Sequence, residues 1–86
     1  MLETYQLEQL IAFAEYKTLS RAAEVLHISQ PSLSRTMQQI ESEFQVSLFE
    51  RQKNKITLNE NGRLAVSYAR KIVDDVNDMV FHVRSF

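Results

Sequence analysis

The stretch Leu19-Ser20-Arg21-Ala22-Ala23-Glu24-Val25-Leu26-His27-Ile28-Ser29-Gln30-Pro31-Ser32-Leu33-Ser34-Arg35 decides the fold. It contains two helical patterns around a short break. Ser20 can cap the first, its hydroxyl taking an orphan amide. Ala22, Ala23, Val25 and Leu26 then make a short apolar helix whose paired alanines let another helix approach closely. His27-Ile28-Ser29 is the break. Ser29 is the next cap, and Pro31 falls in the following first turn, where a missing amide hydrogen costs nothing. From there the pattern runs to about Phe44, with Leu33, Met37, Ile40 and Phe44 forming one apolar seam. Two short helices joined by a tight turn are a helix-turn-helix candidate.

The opposite face of the third helix carries the functional signal. At ~100° per residue, Arg35, Ser42 and Pro31 point away from the seam, flanked by Gln38, Gln39 and Ser32. No acidic residue falls in its first three turns; Glu41 and Glu43 come at the far end. Arginine can read guanine and glutamine adenine in the major groove, and such helices meet DNA with their N-terminal half. A polar face is also what any solvated helix shows, so this face alone leaves both readings open.

Working outward, Leu7, Leu10, Ile11 and Ala14 give a first helix over roughly Tyr5 to Tyr16. After the third helix, Val46 to Glu50 and Lys55 to Leu58 are β-compatible, with Arg51-Gln52-Lys53-Asn54 as a charged tip between them. A fourth helix starts near Asn59, a cap residue, with Gly62 in its first turn, where glycine is tolerated. Ala65, Ala69, Ile72, Val76, Met79, Val83 and Phe86 alternate in steps of four and three, a heptad seam. Val66, Val73 and Val80 widen it. Arg70 with Asp74 and Lys71 with Asp75 are spaced for i,i+4 pairs on the outer side. Nothing stops this helix before the last residue, so the chain is expected to be part of a longer one.

Composition excludes several classes. The 86 residues suffice for one small domain, and 44% apolar with 24% charged is an ordinary folded balance. There is no cysteine, hence no disulfide framework or thiolate metal site. Neither a signal core nor a membrane-length apolar run is present, which makes a cytoplasmic protein without membrane contact the expectation. His27 and His82 lack companions at ligand spacing. Asp74, Asp75 and Asp78 read as a solvated face, and no catalytic constellation or cofactor motif exists. The net charge of -1 gives no bulk support for nucleic-acid binding, so positive charge must act locally, as in Arg51, Lys53 and Lys55.

The quoted stretch resembles the helix-turn-helix of LysR-type transcriptional regulators. The resemblance continues through Ile40-Glu41, Leu48-Phe49-Glu50-Arg51, and Leu58 to Gly62. It implies a mostly α fold: a winged helix-turn-helix of three helices and a two-stranded wing, then a long C-terminal dimerisation helix. The expected division is 1–58 for the DNA-binding domain, with the helix-turn-helix at about 19–38 and the wing at about 47–58, and 59–86 for the linker helix. Base reading is expected of Gln30, Pro31, Ser32, Arg35 and Gln38. Phosphate contacts are expected of Ser20, Ser34 and the wing cations Arg51, Lys53 and Lys55. Dimerisation falls to Ala65, Ala69, Ile72, Val73, Val76, Met79, Val80 and Val83. The implied partners are double-stranded DNA with an approximately two-fold symmetric site and a second copy of the chain, with higher oligomers open to a full-length protein. A small-molecule effector would need a C-terminal domain not present here. Gln45 departs from the family, which usually has glycine after the recognition helix; a left-handed cap there is strained, or the helix ends differently. The rival reading is a winged helix devoted to protein pairing, with little specific DNA binding, which near-neutral charge favours slightly.

Overall fold

The computed structural model describes residues 1–86, in the order α1 (Thr4–Tyr16), α2 (Leu19–Leu26), α3 (Gln30–Phe44), β1 (Phe49–Gln52), β2 (Lys55–Leu58) and α4 (Glu60–Ser85). The cap of α2 is not Ser20 but Thr18, whose hydroxyl accepts from the Arg21 amide at 3.1 Å. Ser20 lies inside the first turn. The reason is the preceding turn: Lys17 adopts φ 72° and its amide closes on the Phe13 carbonyl at 2.8 Å, so α2 can begin at once. Ser29 and Asn59 do cap α3 and α4, accepting from the amides of Ser32 at 3.2 Å and Gly62 at 2.8 Å.

The turn of the helix-turn-helix is a Schellman closure. His27 sits at φ 59° while its amide bonds the Glu24 carbonyl at 3.2 Å and the Ile28 amide bonds that of Ala23 at 3.1 Å. Helix α3 ends in the simpler left-handed cap on Gln45, at φ 60°, with its amide on the Glu41 carbonyl at 2.9 Å. The left-handed cap therefore persists without glycine.

The hairpin pairs Phe49 with Leu58 and Gln52 with Lys55. It starts later than the expected Val46, because the carbonyl and amide of Leu48 are used elsewhere (below). Its turn is the two residues Lys53 and Asn54, and Asn54 takes the left-handed position at φ 63°. Asparagine tolerates that conformation better than most residues.

The core forms where α1, α2 and α3 meet. Leu10, Phe13, Ala22, Leu33, Met37 and Ile40 are all buried there. Phe49 brings the wing in, edge-on to Phe13 with ring centroids 5.5 Å apart. Phe44, the expected end of the α3 seam, is 39% exposed instead. Helix α4 lies against α1 through its first half, and the core continues past the expected boundary at residue 58, taking in Ala65 and Val66. From Asn77 onward every residue of α4 is exposed. The molecule is accordingly elongated, 51 × 27 × 20 Å. The expected ion pairs of Arg70 and Lys71 do not form; the Lys71 ammonium lies over the Tyr68 ring, 5.6 Å from its centroid. No helix is long and apolar enough to cross a membrane.

Leu33 is completely buried at the junction of three helices. We expect Leu33→Ala to cost about 2–5 kcal/mol. A melting temperature within a degree or two of wild type would show that α3 is not seated by this seam.

Candidate nucleic-acid interface

Helix α3 presents two faces of different chemistry. Leu33, Thr36, Met37 and Ile40 are turned inward. Gln30, Pro31, Arg35, Gln38 and Gln39 are exposed, while Ser32 and Ser34 are half-buried. The only ion pairs in the molecule are Met1 with Glu43, Arg21 with Glu24 and Arg51 with Glu41. Arg35, Lys53 and Lys55 therefore have no carboxylate holding them, and their full charge faces solvent. Gln38 is free as well. Gln39 is not, because it accepts from the Gln6 amide at 3.3 Å, and Gln6 in turn reaches the Glu3 amide at 2.9 Å. That chain of contacts fastens the back of α3 to α1.

Ser32 is positioned by the cap. Its amide is taken by Ser29 and its carbonyl accepts from the buried Thr36 hydroxyl at 3.3 Å. The first turn of α3 is thus rigid, and Gln30 and Pro31 project from it at its open end.

Glu41 is the residue that sequence reasoning passed over. Its carboxylate accepts from the Leu48 amide at 2.8 Å, the Ser47 hydroxyl at 3.2 Å and the Arg51 guanidinium at 3.4 Å. The Arg51 guanidinium also lies 5.9 Å from the Phe49 ring centroid. Glu41 thereby locks the root of the wing to α3, and Arg51 is turned back toward the protein. Its neighbour in sequence, Ile40, marks the edge of the apolar seam; that Leu48 would be the partner is a tertiary fact with no local signal. Asn59 completes the joint by donating to the Ser47 carbonyl at 2.9 Å, while its own amide donates to the Leu48 carbonyl at 2.9 Å.

Electrostatically this end of α3 is closed off. Glu43 accepts from the Met1 amino group at 2.6 Å. That hydrogen bond, then the charge of Glu43, raises the amino pKa above 8.0. The link is complete below that pH and is lost as pH rises through the higher folded value. Both carboxylates of α3 are therefore engaged by cations, and neither stands free beside Arg35.

Ser20, Gln30, Arg51 and Lys55 line one cleft of about 730 Å³ between the helix-turn-helix and the wing. Among the expected dimerisation residues, Ala65 and Ala69 are buried inside their own chain, at 8% and 1% exposure. Burial within the chain leaves these two side chains little surface to offer a second copy. Val73 and Val76 are half-buried, and Ile72, Met79, Val80 and Val83 are exposed. Leu64 and Tyr68, which the heptad seam left out, are exposed apolar side chains on the same helix.

Residues 4–63 match the family described as bacterial regulatory helix-turn-helix protein, lysR family. The chain is similar to the RuBisCO operon transcriptional regulator of Allochromatium vinosum, 40% identical over 74 residues, or 86% of this chain and 24% of that protein. In structure it is similar to the CbnR DNA-binding domain in its complex with DNA, with TM-score 0.92, 34% identity, and 98% and 97% of the two chains covered. It is similar also to the BenM DNA-binding domain on its benA site 1 DNA, with TM-score 0.91, 31% identity, and 98% of both chains covered. The chain spans about a quarter of the length of the curated relative, at 24%. These relatives are transcriptional regulators with a DNA-binding fold, not enzymes.

Proposed function

The chain belongs to the bacterial regulatory helix-turn-helix proteins of the lysR family, and from that premise we propose that it is the sequence-specific DNA-binding and dimerising part of a cytoplasmic transcription regulator. Helix α3 enters the major groove, and the wing rests on the backbone or in the adjacent minor groove. The observation that carries this reading is the exposed N-terminal half of α3. It is polar, it is held rigid from behind, and its one cation, Arg35, is unpaired. The DNA complexes of the two structural neighbours support it.

On this reading the residues divide between bases and backbone. Gln30, Pro31, Ser32, Arg35 and Gln38 face the base edges. Ser20, Ser34, Lys53 and Lys55 hold phosphates and set register. Arg51, shared with Glu41, has less charge to offer. Two copies joined through α4 read an approximately two-fold symmetric site. A larger C-terminal part, if it follows the family, binds a small-molecule effector.

Selection of bound sequences from a random DNA pool tests the proposal. A recovered motif of approximate two-fold symmetry is expected. A pool without enrichment, bound by protein that still dimerises, would leave only the pairing module.

Arg35→Ala is expected to cost about 1–3 kcal/mol on the selected site and to relax preference at one base pair per half-site. Equal losses on selected and random duplexes would assign Arg35 to a phosphate. Neutralising Lys53 or Lys55 is expected to weaken binding on all sequences alike and to reduce the slope of log K against log salt by about one per contact. An unchanged slope would remove the wing from the interface.

A further inference from the structure

The cleft between the wing and the helix-turn-helix carries charge of one sign. Its lining includes Lys17, Arg51 and Lys55, the hydroxyls of Thr18, Ser20 and Thr57, and no carboxylate. That is notable in a chain whose net charge is -1. Lys17 is not part of the recognition helix or the wing. It stands at the junction of α1 and α2, held there by its left-handed backbone, and it has no carboxylate within ion-pair distance. Arg51 is already bound to Glu41. The free cations of the cleft are therefore Lys17 from the helical side and Lys55 from the wing.

We propose that Lys17, on the helical wall of this cleft, is a further phosphate-binding residue for the duplex strand that Ser20 and Lys55 hold. The inference rests on the DNA-binding reading above. Three features fit a polyanionic backbone rather than a small neutral ligand: cations on both elements, hydroxyl donors between them, and the absence of any opposing carboxylate. A strand seated there lies against Gln30 on one side, so α3 reaches the bases from the same strand that Lys17 grips. Its contribution is register and affinity without sequence preference.

The test is a salt titration of the whole chain on two duplexes, one carrying the selected site and one of random sequence. Lys17→Gln removes the charge at similar side-chain length; Lys17→Arg keeps it. Lys17→Gln is expected to make the slope of log K against log salt shallower by about 0.9 on both duplexes, at unchanged melting temperature. Lys17→Arg is expected to retain the wild-type slope, which a purely structural role for Lys17 would not require. A wild-type slope in Lys17→Gln would overturn the phosphate-binding role of Lys17 while leaving DNA binding intact. Salt-independent or absent binding by the wild-type chain would overturn the DNA-binding reading itself and this inference with it.

Discussion

Gly62→Ala is expected to destabilise the domain by about 2–3 kcal/mol or more, although alanine is the better helix former by about 1 kcal/mol. A β-carbon at this position would stand 2.2 Å from the Leu48 carbonyl oxygen and 2.8 Å from Leu58 Cδ2. The side chain of Leu58 could turn aside; the Leu48 carbonyl cannot. It accepts from the Asn59 amide at 2.9 Å, while the Leu48 amide is held by Glu41 at 2.8 Å. Displacing it would break the joint that fastens the wing to α3 and α4. In a domain of this size a loss on that scale is a large part of the total stability. Chemical denaturation gives the number directly. Hydrogen exchange locates the damage, since amides of β1 and β2 should lose protection before those of α2. A Gly62→Ala protein as stable as wild type would mean that the α4 start and the wing root are spaced more loosely than the structure has them.

Ile72→Asp together with Val76→Asp is expected to convert a dimer into a monomer and to lower operator affinity by about 10²–10⁴-fold, the advantage that linking two heads supplies. The exposed apolar residues of α4 include Leu64, Tyr68, Ile72, Met79, Val80 and Val83, with Phe86 just beyond its end. Such a strip is larger than a lone soluble domain usually leaves in water. Ile72 is 46% exposed, so a carboxylate there meets solvent in the monomer. Against a second copy of α4 it would be desolvated without a partner, which is costly. Two joined heads should read half-sites separated by about a helical turn or a multiple of it. Sedimentation equilibrium and binding to the selected site check both halves of the prediction, with the melting of the core around Leu33 as the control for folding. A wild-type monomer at micromolar concentration, or full affinity in the charged variant, would favour binding by a single head.

Local pattern was enough for much of this architecture. The apolar spacing of Leu33, Met37 and Ile40 determined which side of α3 is buried, and with it the side that carries Arg35. Ser29, Pro31 and Asn59 marked helix starts because capping is an interaction within one turn. These features depend on residues at most four positions apart, so the chain states them in its own order.

What failed to show in the sequence involves partners far along the chain or a choice between equivalent surfaces. The one glycine is the clearest case. Four residues adopt left-handed backbone, Lys17, His27, Gln45 and Asn54, and none is glycine. The turns could be made by other residues at a cost of roughly 1 kcal/mol each, but the close approach of Gly62 to Leu48 admits no β-carbon at all. Glu41 stood in the sequence only as an acidic residue at the far end of α3; the fold brought the Leu48 amide and Arg51 to it. Ala65 and Ala69 fitted a heptad seam, yet a heptad pattern cannot say which neighbour covers it. Their burial within the chain was decided by tertiary structure, because a helix face is buried by whichever surface the chain brings to it first. The sequence by itself determined the helices, their buried stripes and the side of α3 that carries Arg35. Only the assembled fold decided where the wing is anchored, which cations remain free, and how much of α4 is left for a second chain.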